Sequence, residues 1–269
     1  MKDLSKDISL FTQKIQFGCQ AFVDGECNRE DGCVCKKMGE IHAIIKELIP
    51  DNLRNMTTHD FTGKDKNGNQ LIETISVNNI KKILNTYLYG KNILGDQTRI
   101  DLNKLSVLNS RYKKGSSVII HGESTHFENE NGRRTKKRQK AGKSLLASII
   151  MTDAIYRKKY PESRFWNYDW ISFISLRQIL KDRSDKLYDI QEADWLVIDD
   201  LTEIDKCRGS RSEIWTREIF DTFLIDRINE KKPTILVCEF DADKVSLEER
   251  MGLAFQKLYN DEHTFKVKV

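Results

Sequence analysis

The sequence predicts a three-layer α/β fold with a mostly parallel sheet, and three observations carry that prediction. From about residue 115 short apolar strands alternate with amphipathic helices. The first strand ends in glycine ahead of a helix that opens A-G-K-S, and the third ends in paired acids. Strands separated by helices need right-handed crossovers, which lay helices on both faces of a parallel sheet.

Taken in order, residues 1–17 place Leu4, Ile8, Phe11 and Ile15 at helical spacing. A Cys-rich loop follows over 18–36, then a helical run over 38–49 that Pro50 stops. Residues 51–70 are mixed, with a polar Gly-Lys-Asp-Lys-Asn-Gly-Asn turn, and 71–89 reads as a helix. The alternating region then begins with SSVIIHG (116–122), a buried strand. A helix from Lys143 to about Lys159 carries Leu145, Leu146, Ile149, Ile150 and Ala154 on one face. WISFISL (170–176) is the second strand, with a helix from Arg177, and DWLVIDDL (194–201) is the third. A long helix over 212–231, a strand over 233–240, a helix over 246–259 and a closing strand over 264–269 complete the chain.

Composition narrows the class. The 269 residues are 39% hydrophobic and 32% charged, with only three prolines, as an ordered globular chain would be. Forty-five Lys and Arg against 41 Asp and Glu leave a net charge of +4, which permits nucleic-acid binding without requiring it. The apolar stretches are strand-sized and MKDLSKDISL lacks an apolar signal core, so the expectation is a cytoplasmic protein with no membrane span.

A phosphate-binding loop requires strand, G-x-x-x-x-G-K-[ST], then helix. Its amides and lysine bind phosphates and its hydroxyl ligates Mg²⁺. Here the strand ends at Gly122, whereas Ala141-Gly142-Lys143-Ser144 lies too far on. Removing 125–139 restores the whole pattern, with Gly122, Glu123, Ser124, Ala141, Gly142, Lys143, Ser144 and Leu145 in the nucleotide cradle. The loop therefore carries an insertion of about 15 residues in its crown. The third strand supplies the complement: Asp199 to hold Mg²⁺ with Ser144, and Asp200 to orient or deprotonate an attacking water. The insertion holds Arg133, Arg134, Lys136, Lys137, Arg138 and Lys140, a cationic arm that could meet DNA phosphates, a neighbouring subunit's nucleotide or solvent alone.

Six cysteines occur, and Cys19, Cys27, Cys33 and Cys35 crowd together. In a reducing compartment such clustering reads as metal ligation before disulfides, and four thiolates close a tetrahedral structural Zn²⁺ site. The spacing C-x₇-C-x₅-C-x-C is not the usual pair of C-x₂-C units, so four free cysteines remain the alternative, and His42 could replace one ligand. Cys207 and Cys238 read as packing residues. Phe165, Trp166, Tyr168 and Trp170 could stack on bases, with core packing the plainer reading.

These residues together resemble the DnaC/DnaI-type helicase loaders of the AAA+ class and the related IstB transposition ATPases. Besides the two nucleotide motifs, ISFISLRQILKDR is similar to that family's strand and helix after the P-loop helix. FDTFLIDRINEKKPTILVCEF is similar to its helix, K-[KR]-P-T-I turn and sensor-1 strand, and SLEERM to its late G-E-R helix. The cysteines, followed by Ile49 to Phe61 with its I-P-x-x-x-R and M-T-x-x-D-F elements, look like its adaptor region. The resemblance implies an adaptor over 1–70 that binds a replicative hexameric helicase, a helical connector over 71–99, and an AAA+ core over 100–269. It further implies ATP-dependent delivery of that helicase onto single-stranded DNA, with ATP-driven homo-oligomerisation. The sensor-1 slot falls on Glu239 and the arginine-finger slot on Ala254. That leaves Arg250, Arg208, Arg211 and Arg217 as nearby cations and implies slow hydrolysis. Two other readings share these motifs, an IstB-like ATPase acting on duplex DNA and a nucleotide-binding scaffold with little turnover.

Overall fold

The computed structural model describes residues 43–54, 56, 60–64, 72–89, 110–111, 114–123, 125–130, 133–138, 142–157, 167–182, 185–202 and 211–269. The helix expected over 1–17, the four clustered cysteines, His42, Phe165 and Trp166 lie outside the described residues. A helical segment at 43–48 is followed by a short 3₁₀ turn, Asp51–Leu53. Arg54, from the I-P-x-x-x-R element, folds back to donate to Ile49 O at 2.8 Å and to Lys46 O. Its role is to satisfy the carbonyls that the helix end leaves exposed.

Helix α1 (Thr74–Tyr89) precedes strand β1 (Val118–His121). Strands β2 (Thr125–Glu130) and β3 (Arg133–Arg138) come next, then α2 (Lys143–Arg157). The chain continues through β4 (Tyr168–Ser172), α3 (Phe173–Asp182), α4 (Lys186–Glu192) and β5 (Trp195–Leu201). It ends with α5 (Arg211–Asn229), β6 (Thr234–Cys238), α6 (Leu247–Met251), α7 (Leu253–Asn260) and β7 (Phe265–Lys268). Five strands form one sheet in the order β4-β5-β6-β1-β7, and every pairing in it is parallel. The central strands β1 and β6 are buried along their whole length, because helices cover both faces.

The alternation of side chains along each strand divides the core in two. Val118, Ile120, Val197, Ile235 and Val237 point to one face, where they meet Leu146, Ile150 and Ala154 of α2 and Leu84 and Leu88 of α1. Ile119, Leu196, Ile198, Leu236 and Cys238 point to the other. They are covered there by Leu176 of α3, Phe220 and Leu224 of α5, and Phe255 of α7. The expected three layers are present.

Two local expectations are corrected, and the insertion takes a defined form. The second strand ends at Ser172, and Phe173-Ile-Ser-Leu is the first turn of α3 rather than strand. Ser172 Oγ accepts the Ser175 N–H at 3.2 Å, a helix cap, and Phe173, Leu176 and Leu180 are buried at helical spacing. The single helix expected over 246–259 is two, broken at Gly252, whose φ is 104°. The insertion is a β-ribbon: β2 and β3 pair antiparallel from Thr125↔Arg138 to Glu130↔Arg133. Among the described residues no helix is long and apolar enough to cross a membrane.

Candidate functional site

The strand order places the ends of β1, β5 and β6 side by side, with β6 between the other two. Gly122, Lys143, Ser144 and Asp199, from the predicted phosphate loop and magnesium pair, meet there. Lys143 opens α2 and is buried; its ammonium donates to Gly122 O at 2.7 Å across the base of the ribbon. That contact closes the loop despite the residues inserted between the two glycines. Glu239, one residue past β6, brings Oε1 to 3.7 Å from the same nitrogen. Ser144 Oγ donates to Asp199 Oδ1 at 3.0 Å, joining the helix start to the end of β5.

The tip of β5 is shaped for this. Its pairing with β6 shifts register between Ile198 and Leu201, and Asp200 sits at φ 55°, in the left-handed region that side chains other than glycine enter at a cost. Beside it, Asp200 N–H donates to Asp199 Oδ1 at 2.8 Å. Burial pushes the Asp199 carboxyl above the usual range against these two hydrogen bonds, and the neighbouring Asp200 and Glu239 charges push the same way. The Cys238 thiol is held far up by burial, consistent with its expected packing role.

The two loop glycines are required by backbone geometry and by their neighbours. Gly122 has φ 152°, and a Cβ there would lie 2.0 Å from Val269 O. Gly142 has φ 81°, and a Cβ would lie 3.0 Å from Cε2 of Phe61. Phe61, the last residue of M-T-x-x-D-F, is thus buried against the phosphate loop. Its periodicity offered no hint of that, although its place in a motif could have drawn attention.

Other predicted residues are placed as follows. Ser124, Ala141 and Arg208 lie outside the described residues. Leu145 is half-buried and packs on the core. Glu123 turns outward to an ion pair with Lys244 at 3.0 Å. Arg250 is in the last turn of α6, beside α5, whose Arg217 donates to Glu249 O at 3.0 Å. Ala254 is fully buried and its N–H donates to Asp221 of α5 at 2.6 Å. Position 254 therefore faces the core. Tyr168 donates to Ala154 O at 3.0 Å, and Trp170 is a half-buried residue packed on the core. Both follow the packing reading.

A polar cluster that sequence reasoning missed adjoins Gly122. His121 is buried, with Nδ1 3.4 Å from Asp241 Oδ1 and 3.2 Å from Ala242 N. Lys268 of β7 meets Asp241 Oδ2 at 2.9 Å and Asp243 Oδ2 at 2.8 Å, and Tyr259 donates to Asp243. The lysine supplies the positive charge this carboxylate pair needs and ties β7 to the loop after β6. Burial holds the His121 imidazole below its usual pKa, opposed by the Asp243 and Asp241 charges.

The residues present fit a magnesium-bound nucleoside triphosphate. A hydroxyl and a carboxylate at hydrogen-bond distance are hard oxygen donors of the kind Mg²⁺ takes. A buried ammonium at a helix start is a phosphate counter-charge. Parallel strands in this order, with the lysine loop and the acidic strand tip joined by Ser144 and Asp199, decide the fold.

The fold is a three-layer α/β P-loop fold with a parallel sheet. No protein-family model matches the chain, and no curated protein matches it in sequence. Among solved structures the chain is similar to a candidate primosome component from Streptococcus pyogenes serotype M3, at 12% identity and a TM-score of 0.45, covering 82% of this chain and 89% of that one. It is similar to DnaI at 18% identity and a TM-score of 0.42, covering 82% and 94%. It is also similar to DnaA from Aquifex aeolicus bound to AMPPCP, at 16% identity and a TM-score of 0.37, covering 69% and 51%.

Proposed function

We propose that the chain binds ATP with Mg²⁺ and acts in the initiation of DNA replication, as an ATP-dependent loader of a replicative hexameric helicase onto single-stranded DNA. The observation that carries the nucleotide reading is the closure of the interrupted loop, Lys143 on Gly122 O beside the Ser144–Asp199 pair. The loader reading is supported by the sequence resemblance, which runs from the cysteines through the late E-R helix.

In this reading Lys143 and the amides around Gly142 hold the β- and γ-phosphates. Ser144 and Asp199 hold the magnesium, which when bound neutralises charge on the phosphates. Asp200 orients and deprotonates a water. Glu239 holds the ammonium in place from the β6 side. The arginine for a neighbouring site comes from Arg250 or another cation of α5 and α6, which makes turnover slow. Cys19, Cys27, Cys33 and Cys35 hold a structural Zn²⁺ in the helicase-binding adaptor, and the ATP-bound form self-associates in the cytoplasm of a bacterium or phage-infected host.

The test is two-part. Lys143→Ala is expected to lower affinity for mant-ATP at least about a hundredfold, from the loss of a buried charge-assisted contact worth about 3 kcal/mol. Retention of wild-type affinity would remove the nucleotide reading. Affinity capture with the purified full chain should then recover the replicative helicase; recovery of a transposase instead would favour the duplex-DNA reading. If wild type binds mant-ATP but hydrolyses ATP with single-stranded DNA no faster than Lys143→Ala, the chain is a scaffold.

A further inference from the structure

The ribbon inserted in the phosphate loop is electrically one-sided. Residues directly opposite in an antiparallel pair share a face, and successive residues alternate faces. The register Thr125↔Arg138, Phe127↔Lys136 and Asn129↔Arg134 places those six residues on one face. That face has three cations, an aromatic residue and no acid. The other face has His126↔Lys137, Glu128↔Thr135 and Glu130↔Arg133, two cations balanced by two acids. A one-residue register slip would bring Arg134, Lys136 and Arg138 onto the face of the two acids, so the placement of these three cations depends on the pairing.

The spacing argues for an extended partner. Arg134, Lys136 and Arg138 recur every second residue along β3, about 7 Å apart and about 14 Å from first to last at strand rise. A nucleotide's phosphates are too compact to meet all three. A single nucleic-acid strand repeats its phosphate every six backbone bonds, at a closely similar interval. Phe127 stands opposite the middle cation, and an aromatic among cations suits unstacked bases. Charge complementarity, repeat and the aromatic agree on one occupant.

We propose that this face of the β2–β3 ribbon is a binding site for single-stranded DNA, and that its occupancy is coupled to the nucleotide pocket. The coupling follows from attachment. β2 begins three residues after Gly122 and β3 ends five before Lys143, so a strand drawn along the ribbon bears on the loop that those residues close. By linkage the effect is mutual: DNA alters nucleotide affinity and nucleotide alters DNA affinity by the same factor. The DNA site stands on the ribbon alone. Only the coupling rests on the nucleotide reading of the previous section.

The experiment is fluorescence anisotropy of labelled oligo(dT) on the full chain over a salt series. It compares two double variants that change charge equally on opposite faces, Arg134→Glu with Lys136→Glu and Arg133→Glu with Lys137→Glu. The first pair should weaken binding at least about tenfold and flatten the log–log salt slope by about 1.4, two contacts at about 0.7 each. The second should stay within about threefold, since charges on the far face are screened over about 8 Å. Phe127→Ala should cost about fivefold or more through lost stacking. Equal losses from both pairs, no loss from the first, or a duplex binding as tightly as oligo(dT) would overturn the proposal. Should the glutamate pair fail to fold, the glutamine pair at the same positions tests the same contrast with a smaller slope change. Saturating oligo(dT) should shift mant-ATP affinity several-fold in wild type and not in the Arg134/Lys136 pair; no shift in wild type refutes the coupling. A chain that binds oligo(dT) through this face but no mant-ATP keeps the site and refutes the nucleotide reading instead.

Discussion

Gly142→Ala isolates the contact between the phosphate loop and the segment before the core. Two costs arise from the structure. Position 142 sits at φ 81°, where an L side chain is disfavoured by about 1–2 kcal/mol. The new methyl would also lie 3.0 Å and 3.3 Å from two ring carbons of Phe61, which is only 1% exposed. Overpacking of that kind costs about 1–3 kcal/mol. The variant should therefore lose about 2–5 kcal/mol in urea denaturation, with weakened mant-ATP binding because the loop moves before the ring does. Phe61→Leu separates the two parts. Leucine alone leaves a void and is destabilising. Combined with Gly142→Ala it should recover about 1–2 kcal/mol, since the smaller side chain accepts the methyl while the φ cost stays. Additive losses in the double variant would refute the packing of Phe61 on the loop. A Gly142→Ala protein within about 0.5 kcal/mol of wild type would refute the backbone argument as well.

Arg227 is 1% exposed and donates to the carbonyls of Ile190, Gln191, Ala193 and Pro233 and to Thr234 Oγ. Arg227→Met should cost about 3 kcal/mol or more by urea denaturation, because buried acceptors lose their donor; a loss under about 1 kcal/mol would sink the account. Lysine there should recover little, since one ammonium cannot reproduce the guanidinium fork. At the other end of the sheet, Lys268→Met tests the acid limb of stability. Burial tends to raise the Asp241 carboxyl, but the Lys268 hydrogen bond, Asp243 N–H and the nearby charges of Lys268 and His121 hold it below the usual range; Lys268 and Tyr259 do the same for Asp243. Carboxyls depressed in the folded state contribute stability above their unfolded pKa and lose it as pH falls through the folded values. Lys268→Met should cost about 0.5–1 kcal/mol at neutral pH, discounted for the half-exposed lysine, and the gap should close as pH falls below the usual carboxylate range. A gap that persists unchanged in acid would show that the ion pairs contribute nothing.

Much of this molecule was legible in one dimension. Lys143, Ser144 and Asp199 could be picked out as neighbours because a phosphate loop demands those residue types next to a strand end and a helix start, and the structure brings Ser144 and Asp199 together. The parallel three-layer class followed from strands alternating with helices. Errors fell where two local preferences compete. Phe173-Ile-Ser-Leu has the β-branched and aromatic content of a strand, yet Ser172 caps a helix whose buried face needs Phe173, Leu176 and Leu180. The helix through Gly252 has unbroken apolar periodicity, yet a Cβ at 252 would lie 2.4 Å from Asp221 Oδ1.

Sequence alone determined which residues could bind phosphate and magnesium and which segments bury an apolar face, since both depend on residue identity and near neighbours. Tertiary structure alone decided who meets whom. It seated Phe61 on Gly142, gathered His121, Asp241, Asp243 and Lys268 from three strand ends, and buried Ala254. Those outcomes depend on strand order and register, which are set by long-range packing that no local pattern encodes.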